Sequence, residues 1–464
     1  MRKSERSVRS MSAAVGVMLA SLAGAAGPDV IVGDLPDFSF WGTYQGISAF
    51  SIGTTSCNIG NTVLRWVAST NQHPVIGQNL YRYSVVNGAG RYEQIGQSFL
   101  KHGFTALNGT VCGACSTHDG NGSTLDPTCS DPYSASLNGS QSRLGPKSQV
   151  NAFTGHYPYP FTAQTLPSTD ATGRQIARRL QVRASEVNPT LNPGAIYFAE
   201  GHYIASDDAA AGNGLNNAGY RRVRITGTDA SYTMSTVSGF TTQRQKSAIY
   251  GWQSVDPLVV VTEAPVPGEG MFYVASRVTP IAGGMYHYEY AIQNFNSDRS
   301  GASFTLNLDP MGDPFLIELT NIGFRDVDYH SGEPYSGTDW ATSRSATSFG
   351  WATEAHSVNA NANALRWSTM YTFRFDSDRA PAAGTGSIGL FKPGQGDSIT
   401  FPVPVPSTPP CIGDHNEDAA LDGSDVEAFF GDWENGLDRA DKDRSGGVDG
   451  SDVEMFFIRW ADGC

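Results

Sequence analysis

The chain has 464 residues, 39% hydrophobic, 16% charged and 11% aromatic, with 52 Gly and 25 Pro making up about a sixth of it. That length accommodates about two to four domains with cores of their own, and the Gly and Pro content favours short strands joined by turns over a disordered or collagen-like chain. Asp and Glu number 45 against 31 Lys and Arg, a net charge of −14 that argues against a nucleic-acid or anionic-membrane partner.

The start reads as an export signal. Arg2, Lys3, Arg6 and Arg9 precede an apolar, Ala-rich run over 11–26 that ends in small residues at Ala23, Ala25 and Ala26, the three-part layout of a secretory leader over 1–26. The run is short and Ala-rich for a membrane anchor, and no later stretch approaches 18 consecutive apolar residues, so no membrane span is expected once the leader is removed. Export places the six cysteines where disulfides form. Cys411 and Cys464 bracket the end of the chain and read as a clasp. Cys57, Cys112, Cys115 and Cys129 permit three pairings, and spacing does not choose among them. Cys112 and Cys115 also have C-x-x-C spacing, so a zinc site with His118 and Cys129, or a redox pair, can be drawn. Gly109, Gly113, Gly120, Asn121 and Gly122 around them mark an exposed loop, for which structural disulfides are the expectation.

Residues 27–255 carry short alternating apolar runs, at 47–52, 63–67 and 195–198, broken by Gly, Asn and Pro: a β-rich N-terminal domain with a disulfide-stapled loop. The stretch 108–154 lacks a sustained apolar period and reads as a surface loop or series of turns. Helical character is confined to 173–184. A second unit is expected over 256–400, opening with 258–262 and a turn through Pro265, Pro267 and Gly268. In 285–292, Tyr286, Tyr288 and Tyr290 alternate with His287, Glu289 and Ala291, and 294–301 turns the chain into 303–308. Over 365–375, Leu365, Trp367, Thr369, Tyr371, Phe373 and Phe375 share one face, the period of a strand. An immunoglobulin-like or jelly-roll sandwich follows. Residues 401–410 contain five prolines in ten and read as a semi-rigid linker. The fold class expected is therefore mainly β, with one or two β-sandwich-like domains followed by a small α-helical module.

That module, 411–464, holds 15 Asp and Glu against 4 Lys and Arg, so 11 of the 14 net negative charges. It is duplicated: Leu421-Asp-Gly-Ser-Asp-Val-Glu-Ala-Phe-Phe430 recurs as Val448-Asp-Gly-Ser-Asp-Val-Glu-Met-Phe-Phe457, and Trp433 recurs as Trp460. Each copy has oxygen ligands at the spacing of a twelve-residue calcium loop. Asp414, Asn416, Asp418, Ala420, Asp422 and Asp425 take positions 1, 3, 5, 7, 9 and 12 of the first, and Asp441, Asp443, Ser445, Gly447, Asp449 and Asp452 those of the second. Gly446 supplies the sharp turn at position 6 of the second loop, where the first has Ala419. Each loop leads into a helix with Val426, Phe429, Phe430 and Trp433, or Val453, Phe456, Phe457 and Trp460, on one face.

Two such loops, with Asp at position 12 and a single helix after each, resemble a type I dockerin, a module through which secreted, often polysaccharide-degrading, enzymes plug into cohesin receptors. The resemblance implies two Ca2+ ions, a cohesin-like or cell-surface partner, and partner contact at positions 10 and 11. Those positions are Gly423, Ser424, Gly450 and Ser451 here, where dockerins carry other small polar pairs. The body is similar to secreted bacterial proteins of unassigned function that carry such tails, in Gly53-Thr-Thr-Ser-Cys-Asn58 and Asp131-Pro-Tyr-Ser-Ala-Ser-Leu-Asn-Gly139, and that likeness implies no activity.

In the body, G-x-S-x-G, H-E-x-x-H and phosphate-loop patterns are all missing. Glu200, Glu289, Asp326, Asp328 and His330 stand in aromatic surroundings as candidate carboxylate and His chemistry, and each also fits a strand or turn position. Glu200 and Glu289 are not expected to pair, and Lys101 and His102 read as a strand end. Two functions remain: a non-catalytic surface, adhesion or glycan-binding body, or a polysaccharide-degrading enzyme of the glycoside hydrolase type carried by the dockerin-like tail.

Overall fold

The computed structural model describes residues 26–116, 121–162, 171–228, 231–308, 317–328, 333–345, 347–407, 411–418, 420–443 and 445–462. The expected leader lies outside them up to Ala26, as do His118, Ala419 and Cys464. No helix among the described residues is long and apolar enough to cross a membrane.

The architecture is mainly β, built from stacked sheets. Val30–Asp34, Thr54–Asn58 and Ser130–Tyr133 form a three-stranded antiparallel sheet. It packs on an eleven-stranded sheet whose main path runs Ser231–Thr236, Ala218–Thr228, Ile196–Ile204, Val75–Val86, Ala89–Gln97, Leu180–Arg183, Ile47–Ile52, Phe38–Tyr44. Gly201 and Gly219 face each other across that sheet, and a Cβ on Gly219 would meet Val32 Cβ at 2.9 Å. The missing side chains let Val30–Asp34 cross close above. Ile196–Ile204 is covered on both sides: Tyr197, Ala199 and Tyr203 enter the core beneath the small sheet, and Phe198 enters a second core with Trp252, Met271, Tyr273 and Met370. A strand covered on both faces carries buried residues on both, and Glu200 and His202 lie buried on the Phe198 face, which is why its hydrophobic alternation is weak in the sequence.

The expected sandwich is present as two five-stranded sheets. One runs Val260–Val266, Gly270–Pro280, Tyr286–Asn294, Thr369–Ser377, Leu319–Arg325; the other runs Ala341–Arg344, Ser348–Ala352, Gly301–Asn307, Pro381–Leu390, Ser398–Pro406. Tyr288, Tyr290 and Ile292 meet Phe304, Trp351, Phe373 and Phe401 between them. The unit expected to begin at 256 is not separable at that point, because its first sheet shares a core with the eleven-stranded sheet.

Several expectations are corrected. Residues 401–410 are not a linker through 406: Ser398–Pro406 is the edge strand of the second sandwich sheet, with Phe401, Val403 and Val405 buried. Pro402, Pro404 and Pro406 alternate with them, and a Pro on an edge strand turns its missing N–H away from the ladder. Residues 408–410 lie outside the described set. The helix read over 173–184 divides into Ala171–Ile176 and the strand Leu180–Arg183, which inserts between Ala89–Gln97 and Ile47–Ile52. The strand read over 365–375 begins at Thr369; Ser368 has φ 62°, and Trp367 leaves the sandwich face to pack on Val75, Leu100 and Tyr157. The run 63–67 pairs over Leu64–Arg65 alone. Much of 108–154 is packed rather than on the surface: Leu125, Asp131, Tyr133, Asn138, Leu144 and Val150 are buried.

Disulfides join Cys57 to Cys112 and Cys115 to Cys129, so the C-x-x-C cysteines pair outward and neither the zinc nor the redox arrangement forms. Cys411 is disulfide-bonded, while the expected partner, Cys464, lies outside the described residues.

Candidate functional site

The C-terminal module folds as two loop–helix units. The helices Gly423–Glu434 and Gly450–Asp462 stack Phe429 on Phe456 at 4.2 Å between ring centroids, with Val426, Phe430, Trp433, Val453 and Trp460 around them. The two units are tied reciprocally: Trp433 Nε1 donates to the carbonyl of Asp449 at 2.9 Å, and Trp460 Nε1 to that of Asp422 at 3.1 Å. Each helix thus pins position 9 of the other loop, a contact that loop spacing alone could not reveal.

The position-12 carboxylates close the loops. Asp425, fully buried, accepts the N–H of Asn416 at 3.2 Å and of Asp422 at 3.0 Å. Asp452, equally buried, accepts from Lys442 at 2.6 Å, Asp443 at 3.0 Å and Asp449 at 2.8 Å. In the second loop, Asp441 accepts from Ser445 at 3.0 Å and Gly446 at 2.9 Å, and Asp443 accepts from Ser445 at 3.0 Å. Carboxylate oxygens of Asp441, Asp443 and Asp452 lie within 4.8 Å of one another. Gly446 has φ 87°, the left-handed turn its place in the loop requires.

In the first loop, Asp414 and Asn416 accept from the N–H of Asp418 at 3.1 and 3.0 Å, and Asp418 from that of Ala420 at 2.9 Å. Asp422 and Asp449, at position 9, turn to their helices and accept from the N–H of Ser424 and Ser451, each at 2.8 Å. Gly423, Ser424, Gly450 and Ser451 are exposed. The donor set around each loop consists of hard oxygens, the chemistry that fits calcium. The remaining positions, Ala420, Ser445 and Gly447, are exposed loop residues.

In the body, Glu200 is 1% exposed and saturated with donors: Asn79 Nδ2 at 2.8 Å, Tyr81 Oη at 3.0 Å, Ser247 Oγ at 3.0 Å and Ala248 N at 2.5 Å. Glu289 is held by His287 Nε2 at 2.9 Å, and His287 Nδ1 meets Asp376 at 2.6 Å. Burial raises the Glu289 carboxyl, against the opposing pull of His287 and Arg91. Burial lowers His287, but its two carboxylate partners outweigh that and raise it. Ser247 also meets Gln293, which lies four residues from Glu289 on the strand Tyr286–Asn294. Lys101 and His102 form the buried strand Leu100–His102.

Asp326 and Asp328 line a cleft of about 390 Å³ with Gln181, Arg183 and Tyr335. Asp328 forms a two-point pair with Arg183 at 2.6 and 2.8 Å. The Asp326 carboxyl is pushed up to about 6 by burial, with the charge of Asp328 adding and the hydrogen bond from Asn363 opposing. His330 lies outside the described residues. The adjoining cavity of about 350 Å³ is flanked by Arg91, Glu93, Glu186, Arg325 and Arg374, where Arg82 and Arg325 bridge Glu93 and Glu186. No local spacing in the sequence announces that network: Arg82 and Glu93 face each other on one hairpin, while Glu186 comes from the short helix Ala184–Val187 and Arg325 from the strand Leu319–Arg325.

No protein-family model matches the chain, and no curated protein does. Among solved structures, the serine-rich repeat adhesion glycoprotein Srr1 of Streptococcus agalactiae is 7% identical, covers 80% of this chain and 97% of its own, and has a TM-score of 0.21. The partial N-terminal region of an enterococcal surface protein is 10% identical, with coverage of 84% and 99% and a TM-score of 0.17. An exo-chitosanase of Amycolatopsis orientalis, in complex with PNP-β-D-glucosamine, is 8% identical over 80% of this chain and 26% of its own, at 0.14. TM-scores this low carry neither fold nor function from those proteins to this chain.

Proposed function

We propose that the protein is exported and docks through its C-terminal module, which folds around two calcium ions and engages a cohesin-like or cell-surface partner. The observation that supports this is the convergence of Asp441, Asp443 and Asp452 in a loop whose duplicate closes the same way on Asp425. Calcium would be held by Asp414, Asn416, Asp418 and Asp425 in one loop and by Asp441, Asp443, Ser445 and Asp452 in the other, with the position-7 carbonyls of Ala420 and Gly447. Gly423, Ser424, Gly450 and Ser451 are the exposed contact positions. The body is a non-catalytic surface, adhesion or glycan-binding unit, a reading favoured by each candidate carboxyl being engaged by its own structural partners, Glu200 by Asn79, Tyr81, Ser247 and Ala248 and Glu289 by His287. Incubation of the full chain with a polysaccharide panel, scoring binding and product release separately, tests this: binding without product is expected, and release of sugars overturns it.

A second reading has one observation in its favour. Asp326, whose carboxyl burial pushes up to about 6, stands beside Asp328 in a cleft, and a pair of carboxyl groups, one of them holding a proton, is what acid–base glycoside cleavage uses. If products appear, Asp326→Asn should abolish them with the fold intact.

A further inference from the structure

A second oxygen-rich cluster lies in the body, away from the C-terminal loops. Asp29, just before the strand Val30–Asp34, and Asp208, in the helix Ser206–Ala211, are 1% and 0% exposed. The Val30 N–H donates to Asp208 Oδ1 at 2.8 Å, so the Asp208 carboxylate is anchored beside the backbone that carries Asp29. Two successive amides cover the pair: Asn216 Nδ2 donates to Asp29 Oδ2 at 3.2 Å, and Asn217 Nδ2 to Asp208 Oδ2 at 2.8 Å. Three oxygens of this cluster, Asp29 Oδ1, Asn216 Oδ1 and Asn217 Oδ1, are buried and accept no hydrogen bond. Asn217 is 1% exposed, and its unpartnered oxygen belongs to the same amide that touches Asp208. Among the described residues neither Asp29 nor Asp208 forms an ion pair; Arg65 pairs instead with Asp207, at 3.6 Å.

Two carboxylates taken out of water without a countercharge are costly, and an amide oxygen buried without a donor adds to the cost. A cation relieves both at once. The cluster offers oxygen alone, with no imidazole or thiolate, so the cation is a hard one. Magnesium keeps most of its waters and demands octahedral geometry, whereas calcium accepts carboxylate and amide oxygens in irregular enclosure. We propose that Asp29, Asp208, Asn216 and Asn217 form a calcium site in the body, which fastens the first strand to the turn after Ser206–Ala211. The site is independent of the tail reading.

The test is the calcium stoichiometry of the full chain, by titration calorimetry after chelator treatment, together with the melting midpoint of the body. The chains compared are wild type, Asp208→Asn, the tail-loop variant Asp414→Ala/Asp441→Ala, and the combination. Asp208→Asn should lower the ion count by one in both backgrounds. Calcium at a hundredfold excess over Kd should raise the body midpoint of the tail-loop variant by about 2–5 °C and leave the combination unmoved. In chelator, Asp208→Asn should lose less midpoint than it does in calcium, because the amide removes an uncompensated charge even though its NH2 gives up the bond from Val30 N or Asn217 Nδ2. An ion count unchanged by Asp208→Asn overturns the site, as does an equal loss of midpoint in calcium and in chelator. If Asp208→Asn does not fold, Asn217→Ser retains the backbone carbonyl that accepts from Tyr203 N, and it should weaken body calcium binding about tenfold; unchanged affinity overturns the site. Failure of the tail reading alone appears as an equal count in wild type and the tail-loop variant.

Discussion

Lys101 is fully buried, its Nζ has no hydrogen-bond partner, and the Phe104 ring lies 5.2 Å away. Burial, with the charge of Arg143 adding, lowers its ammonium to about 7. Between pH 7 and its ordinary value near 10.5, the unfolded chain holds a proton that the folded chain does not, so this residue makes stability rise with pH across that window and costs most below pH 7. Lys101→Met should therefore stabilise by about 2–4 kcal/mol at pH 6, with the gain falling by about half at pH 9, as read from urea melts at both. An equal gain at the two pH values would show that packing, not charge, sets it. Glu200 poses the opposite case, a buried carboxylate with four donors. Glu200→Gln places an amide against two of them and should cost about 2–3 kcal/mol, visible in the same melts. Both residues stood out in the sequence as polar members of apolar runs, but their partners did not: Asn79, Tyr81 and Ser247 reach Glu200 across 121, 119 and 47 residues.

At the scale of elements, the sandwich strands were legible where one face is core and the other differs, as in Tyr286–Asn294. The edge strand Ser398–Pro406 was not, because proline density masked the alternation of Phe401, Val403 and Val405. The register explains how the strand survives: Pro402, Pro404 and Pro406 face Thr385, Ala383 and Pro381, positions that leave the proline nitrogens on the open side, and the outward carbonyl of Pro404 accepts from Tyr290 Oη at 2.8 Å. Val403→Pro should remove a ladder hydrogen bond and cost about 3 kcal/mol or more, whereas Pro404→Ala should cost about 1 kcal/mol or less. Urea melts of the two variants check the contrast, and similar losses would mean that the strand is not held by its ladder. The strand Leu180–Arg183 was missed for a different reason. Arg174, Arg178 and Arg179 beside Ile176 and Leu180 imitate a helical face, and tertiary pairing between two existing strands decides the outcome.

At the scale of the molecule, the body cores interlock, so the eleven-stranded sheet and the sandwich should melt as one unit, while the C-terminal module has a core of its own. Calorimetry of the full chain should then give two transitions. In chelator, the crowded carboxylates of 411–464 repel one another and the module transition should be lost or lie far below that of the body. Saturating calcium converts binding energy into folding energy and should raise it by about 10 °C or more, since a unit of this size moves several degrees per kcal/mol. The loops are not equal in this. The first carries more carboxylates, Asp414, Glu417, Asp418, Asp422 and Asp425, but charge at the surface is screened over about 10 Å in 0.1 M salt. The second has Gly446 already in the left-handed turn and three carboxylates already convergent. Geometry survives salt, so Asp441→Ala should lower the module transition in calcium more than Asp414→Ala. The reciprocal tryptophans sharpen the test: Trp433 holds the loop of Asp441 and Trp460 that of Asp414, so Trp433→Phe should weaken calcium binding more than Trp460→Phe. A module transition indifferent to chelator would remove calcium from the account, and a larger loss from Asp414→Ala would place charge above geometry.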